Sequence, residues 1–578
     1  VSKRLILHRI PTDFEPENDI AVGPWCFIGA EDVCSDWEDL PFVEPFSTPD
    51  TLAAADLKSR RLANQLAVEW AEALNRRHGR QYSVAYWRTL VILWLVAGVQ
   101  STWRRFRHVE ELVARHGEEH LTVRVLDGPP NWPISHLHAF MAHLTEDDRF
   151  DFWMTSEIVR ALAPGRWTLL PTAYDPGQAA REVDGEDGIE RYSGMSAALR
   201  RVIGRLPLDS IHGVRLGKIL LSLYVNALPR TPRHLADGYR DDSIRGEFPS
   251  PYLDFLDRFL SATLPATVGD RYPDLEAEAR RLRYAPGRLL VDHVSSMDDG
   301  RRTIIAQAQE AGERLVGHQH GGWYGSARTE PWAAEAEYRH DAFLTWGWEK
   351  QEDLEGRMIP LPSPYLSRLR DKHEFRDDTL ILVGAKMFVR SPRLDSVPGP
   401  ADWLAYRRSK RAFVDALAAE VRGELRYRPY AKARETLADE KYMRKFFPDL
   451  RILDGSLDEA MLTCRLLALD HTGTTLNIAL AANVPTVCFR DPRIWALSRQ
   501  ARTVFEGLAR VGILYDNPRS AAAHVNRIWA DVPGWWHSRP VQDARRAWCR
   551  HYARTAGFWW WHWLKALWRL AREEPASA

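Results

Sequence analysis

From residue 286 to about residue 511 the chain repeats one rhythm: a short β-branched or Leu-rich run, a polar turn, then a helix-length segment. GRLLVDH, RLVGHQHGG and DAFLTWGW carry it in a first series; TLILVGA, ELRYRPY, LRILDG, LLALDHTGTT and TVCFR carry it in a second, after a polar, Pro-containing stretch at 360–378. Strands separated by helices pair in parallel, because a helical crossover returns the chain to the same end of the sheet. The rhythm predicts an α/β fold with two doubly wound, Rossmann-like halves joined near residue 365. Ligands of open α/β sheets sit past the carboxyl ends of the strands, so the residues directly after each run are the ones that could carry chemistry.

Before residue 286 the periodicity is mostly helical. LAAADLKSRRLANQLAVEWAEALNRRHG has apolar residues at three- and four-residue steps and ends at His78-Gly79. Further helices are expected over 83–100, 102–116, 192–204, 213–226, 251–263 and 271–283. With 578 residues the chain needs more than one core, since single cores stop growing at roughly 250–300 residues. The expected domains are 1–365, helix-rich and Rossmann-like, for an acceptor; 366–535, Rossmann-like, for a nucleotide-sugar; and 536–578, a Trp/Arg-rich helical tail. Two such domains facing a cleft, with a final amphipathic helix, is the architecture of the GT-B glycosyltransferases.

Composition excludes several classes. The 78 Lys+Arg balance 78 Asp+Glu, which argues against a nucleic-acid binder. Five scattered cysteines form no disulfide framework and no metal-ligand spacing, and Cys464 and Cys488 lie in apolar runs that suggest buried, inert thiols. VSKRLILH reads as an opening strand rather than a signal peptide, and TLVILWLVAGVQ as a buried helix; a cytoplasmic protein is expected. Walker A, GxGxxG, HExxH and GxSxG patterns are missing, and neither a metal nor a cofactor is expected.

The first candidate site is His318-Gln319-His320-Gly321-Gly322-Trp323-Tyr324-Gly325, after the run RLVG. Paired glycines permit close backbone approach, His320 suits acid/base work, and His318, Gly321 and Gly322 suit a phosphate or acceptor loop. A tight turn with two hydrogen-bonded histidines fits the same residues. The second is Asp470-His471-Thr472-Gly473-Thr474-Thr475-Leu476-Asn477, where the threonines either cap a helix or, with Gly473 and the helix dipole, hold a nucleotide phosphate. The third is Arg428 before Pro429, suited to a phosphate by paired hydrogen bonds or to a surface ion pair. Lys386 after TLILVGA is a weaker nucleotide contact. Asp292 after LLV echoes Asp470 after LLAL; both are candidate catalytic carboxylates, and ordering of its own loop fits either one equally.

GPWCFIG at 23–29, the HQHGGWYG block, FLTWGW and HTGTTLNIALAANVPTVCF together resemble a family of transferases encoded among bacterial surface-polysaccharide genes, over most of the chain. The chain is similar, more distantly, to bacterial CMP-sugar glycosyltransferases, the sialyltransferases and Kdo transferases. Those bind the CMP phosphate with a His-Pro pair and a later Ser/Thr pair. Arg428-Pro429 and Thr474-Thr475 stand in the matching places, with Arg replacing a titratable His, and Asn477 stands where many glycosyltransferases keep a carboxylate. The resemblance implies transfer of a sugar from a nucleotide donor, a CMP-linked ulosonic or nonulosonic acid favoured, to a cell-surface glycan or lipid-linked acceptor. A CDP-polyol phosphotransferase and a non-catalytic GT-B-like membrane scaffold are the alternatives.

The zero net charge conceals an asymmetry. Residues 539–572 hold eight Lys/Arg and one acid, a net +7, so the remainder carries −7, and 535–568 holds eight of the 24 tryptophans. At 100° per residue Trp548, Tyr552, Trp559, Trp563, Leu567 and Leu570 share a face, while Trp561 and Trp568 fall among the cations. Indoles beside cations suit the inner-membrane surface, and the apolar stripe alternatively packs back on the N-terminal domain. Gly557 is expected to break the helix between those two jobs.

Overall fold

In the computed structural model, residues 3–128, 132, 134–173, 240–282, 289–292, 297–350, 356–385, 389–430 and 439–573 are described. Every strand pair among them is parallel, in three sheets. The first runs β2-β1-β3-β4, from β1 (Lys3–Ile6), β2 (Asp19–Ala21), β3 (Leu121–Leu126) and β4 (Trp167–Thr172). The second runs β5-β6-β7-β8, from β5 (Leu289–Asp292), β6 (Arg314–His318), β7 (Ala342–Thr345) and β8 (Met358–Pro360). The third runs β11-β10-β9-β12-β13-β14, from β9 (Leu380–Val383), β10 (Leu425–Arg428), β11 (Arg451–Ile452), β12 (Leu466–Leu469), β13 (Thr486–Phe489) and β14 (Leu514–Tyr515).

LILV, LLAL and TVCF are buried at every position because helices cover both faces of the third sheet. Its order reverses between β9 and β12: the chain winds outward through β10 and β11, then returns to the other side of β9. The loops after β9 and β12 therefore diverge and leave a crevice.

The span 1–365 holds two sheets where one Rossmann-like unit was expected. β3, LTVRVL, alternates inside and outside over its first four residues, a period-2 signal hidden among long helices. The long helices form as the periodicity predicts. Pro49–His78 starts on a Thr48 capping box and stops at Gly79, whose φ of 60° is left-handed. The expected break near residue 101 does not occur, and Val84–His116 is one helix. The polar side chains at the expected break find partners: Gln100 donates to Asp56 (2.8 Å), Ser101 to Pro392 O (3.2 Å) and Thr102 to Gly98 O (2.7 Å). This helix is long and apolar enough to cross a membrane, yet most of it is buried inside the protein. The expected helices at 192–204 and 213–226 lie outside the described residues. Near 331–339 the chain forms one π-helical turn, Ala333–Glu337. The core of this half takes in Trp403, Tyr406 and Trp495 from the third-sheet region, so the two regions pack directly.

The C-terminal segment crosses between sheets. Arg539–Tyr552 packs on the third-sheet side, with Trp548 edge-on to Phe505 (4.8 Å). The chain is then pinned to the second sheet: Arg554 donates to Trp346 O and accepts from Ser363 N–H, both at 2.8 Å. Trp559–Arg572 covers that sheet, burying Trp559, Trp563, Leu567 and Leu570 against Leu289, Val291, Val316, Ala342 and Leu344.

Candidate active site

A cavity of about 420 Å³ opens at the carboxyl ends of β9, β10 and β12, where the strand order reverses. Val383 and Gly384 line it from β9, Arg428 and Pro429 from β10, and His471, Gly473, Thr474 and Thr475 from the turn after β12. Trp323 and Trp495 also line it and stack on each other at 4.6 Å and 25°.

The helix Thr474–Ala482 begins on Gly473, which supplies no capping side chain. Neither threonine is the N-cap, so capping does not explain them. Thr474 and Thr475, in the first turn of this helix, line the cavity, and a helix N-terminus at a cavity favours an anion. Arg428 adds a guanidinium to the same cavity and donates through Nη1 to Leu453 O at 2.9 Å.

The loop after β6 reaches this helix from the second sheet. Gly322 N–H donates to Thr474 Oγ1 at 2.7 Å. A Cβ on Gly322 would lie 2.4 Å from Thr474 N and 2.6 Å from Gly473 C, so only glycine permits the approach. Gln319 braces the loop: its Nε2 donates to Gly321 O (2.8 Å), and its Oε1 accepts from Trp346 N (2.8 Å) and Trp348 Nε1 (3.0 Å). Trp323 sits at φ 79°, a strained value for a bulky residue, and its stacking on Trp495 helps hold it there.

Behind the cavity lies a buried polar chain. Asp470, 2% exposed, bonds His471 Nδ1 through Oδ1 (2.9 Å) and accepts from Tyr406 OH through Oδ2, with Lys410 Nζ at 3.3 Å. Burial alone would raise the Asp470 carboxyl, but Lys410, His471 and Tyr406 hold it below its usual value. Burial beside Asp470 pushes the Tyr406 phenol well up. Asp470 is expected from the sequence as a catalytic carboxylate; it is enclosed, and the His471 ring it orients is the group that lines the cavity. Room for that ring depends on Gly473, where a Cβ would come within 2.9 Å of His471 Cδ2 and 3.0 Å of Trp323 Nε1.

His320 is on the loop but is not among the cavity lining. It is exposed, with both ring nitrogens 3.1 Å from Tyr324 OH, which donates to the buried Glu337 Oε1 at 2.9 Å. His318 is buried in β6, 6.2 Å from the Trp563 ring on the C-terminal helix, away from the loop's contact with Thr474. Asn477 points elsewhere too: its Oδ1 accepts from Trp548 Nε1 at 3.1 Å, so it anchors the C-terminal segment instead of holding a ribose. Asp292 ends β5 opposite Gly317, with only its backbone described. Lys386 lies outside the described residues.

Sequence reasoning missed Trp495, Gln319, Tyr406 and Lys410 as parts of the site, and gave His471 no role. The signal for His471 was the Asp-His pair directly after a strand; Tyr406 and Lys410 share a helix face at i,i+4, which reads equally well as packing. Cys464 and Cys488 are buried, as expected, and burial raises the Cys464 thiol to about 12. Among the described residues no group of three or more His, Cys, Asp or Glu is placed to hold a metal ion.

A second cavity of about 480 Å³ is lined by Ala496 and Leu497, next in sequence to Trp495. Two of its cations are matched by acids, Arg328 with Asp50 (2.6 Å) and Arg490 with Asp516 (3.3 Å). The first cavity, with a helix N-terminus, a guanidinium, stacked indoles and a carboxylate-backed histidine, has the chemistry to bind an anion joined to a flat ring and to move a proton beside it. No curated protein matches the chain. Residues 3–567, nearly its whole length, match the family described as LIC12162 family transferase, and the chain belongs to that family of transferases.

Proposed function

We propose that the protein is a GT-B-like glycosyltransferase that moves a sugar from a nucleotide-activated donor, CMP-linked ulosonic or nonulosonic acids favoured, to a cell-surface glycan acceptor. The observation that carries this reading is the Gly322–Thr474 contact, which joins a loop of the second sheet to the anion-binding helix end of the third. A donor phosphate would sit at the helix end beside Thr475, with Arg428 as its paired cation, and the base would lie near Trp323 and Trp495. Charge that develops on the departing phosphate is then met by a fixed dipole and a guanidinium. His471, with Nδ1–H donated to Asp470, keeps Nε2 as the group that exchanges a proton. His320, backed by Tyr324 and Glu337, would serve the acceptor from the loop rim.

Thermal shift tests the donor class. A rise in melting temperature with CMP or a CMP-sugar, absent in Arg428→Ala, is expected; no response to CMP, CDP, UDP or GDP species would sink the reading. The phosphate cradle equally serves a CDP-polyol phosphotransferase, and product analysis separates a phosphodiester from a glycoside.

A further inference from the structure

The helix Trp559–Arg572 has two faces of different chemistry. Its inner face, Trp559, Trp563, Leu567 and Leu570, is buried on the second sheet. On its outer side Trp561 is 49% and Trp568 40% exposed, next to Phe558 at 73% and Trp560 at 42%. Interleaved with them are exposed Lys565, Arg569 and Arg572; Lys565 lies 5.0 Å over Trp561 and Arg572 4.1 Å over Trp568. The helix contains no acidic residue. Exposed indoles cost free energy in water, and alternation with cations is the pattern of a headgroup interface, where indole rings and ammonium groups are both accommodated.

The direction of the helix gives this face a position. Arg314, at the start of β6, donates to Leu570 O and Glu573 O, while His318, at its end, lies beside Trp563. The helix therefore runs antiparallel to β6, and Phe558, Trp560 and Trp561 lie toward the carboxyl edge of the sheet. From that same edge the His320–Gly325 loop leaves to meet Thr474.

We infer that Phe558, Trp560, Trp561 and Trp568, with Lys565, Arg569 and Arg572, rest on an anionic lipid bilayer, holding the loop side of the cleft at the membrane where a lipid-linked acceptor is presented. The cations of this face select anionic lipid over a neutral surface. The acceptor class rests on the glycosyl-transfer reading; the bilayer contact does not.

Vesicle co-sedimentation without nucleotide tests the contact alone. The full chain is expected to bind phosphatidylglycerol/phosphatidylcholine vesicles, to bind phosphatidylcholine alone weakly, and to release with added salt. Phe558→Ser/Trp560→Ser/Trp561→Ser and Lys565→Ser/Arg569→Ser should each lower partition by roughly tenfold or more, with melting temperature and nucleotide response unchanged. In the unmodified protein, bromine-labelled acyl chains should quench tryptophan fluorescence, a readout independent of how the variants fold. Absence of vesicle binding, absence of quenching, equal binding to neutral lipid, or a dimer that dissociates when the aromatics are replaced would each overturn the inference. A nucleotide response that fails while vesicle binding holds would overturn the transfer reading instead.

Discussion

Gly322 N–H and Thr474 Oγ1 lie 2.7 Å apart although 152 residues separate them, so one hydrogen bond joins the loop after β6 to the first residue of the helix after β12. Thr474→Val removes the acceptor and leaves the part-buried N–H unpaired, at about 1–3 kcal/mol. Gly322→Ala drives a Cβ to 2.4 Å from Thr474 N and should cost about as much through overpacking. Denaturant melts should show both losses, and nucleotide-induced thermal shift should fall further in Gly322→Ala, because the loop is displaced from the helix end that forms the anion site.

Asp470→Asn tests the positioning role. It keeps the size of the side chain but removes the charge that orients His471 and faces Lys410. Transfer should fall by about 10²-fold or more, with a changed pH–rate profile and a smaller change in nucleotide affinity. Equal losses in affinity and rate would mean that Asp470 only holds the loop.

Two buried histidines should set the mildly acidic limb of stability. Burial, with Arg105 nearby, lowers His108 to about 3, and burial beside Arg527 lowers His524 to about 4, both from 6.5. Below pH 6.5 the unfolded chain takes up protons that the folded chain refuses, so the stabilisation is complete above that pH and is lost as pH falls toward 4. At pH 5 each should cost roughly 2 kcal/mol. Urea melts at pH 7, 6 and 5 should show the slope, and His524→Gln should flatten it.

Trp563→Ala removes the centre of the second sheet's cover, where the indole is buried and donates to Pro362 O at 2.9 Å. A loss of about 3–5 kcal/mol is expected, read by denaturant melts, with nucleotide binding changed far less than by Gly322→Ala.

The third sheet was legible because β9, β12 and β13 are doubly buried and therefore continuously apolar, and the turn residues after β10 and β12 fell where that rhythm located them. β2, β3 and β4 were not, being short runs among strongly periodic helices. The polar stretch Gln100–Thr102 looked like a break because sequence does not reveal that Asp56 and Pro392 O wait for it. Local pattern brought Arg428, Gly473, Thr474 and Thr475 to one cavity, whereas Asn477 went astray because Trp548, the partner that claims it, lies 71 residues on. No local rule reports which distant side chain reaches a given helix face first.

The crossing of the C-terminal segment bears on synthesis. The second sheet is complete in its strands once residue 360 has left the ribosome, yet its cover, Trp559–Arg572, is made only much later. Leu289, Val291, Val316, Ala342 and Leu344 thus wait, uncovered, through some 200 residues of elongation. A chain cut short before residue 559 would carry a finished third sheet beside a sticky, half-built neighbour, so translation through residue 572 decides whether the product stays soluble.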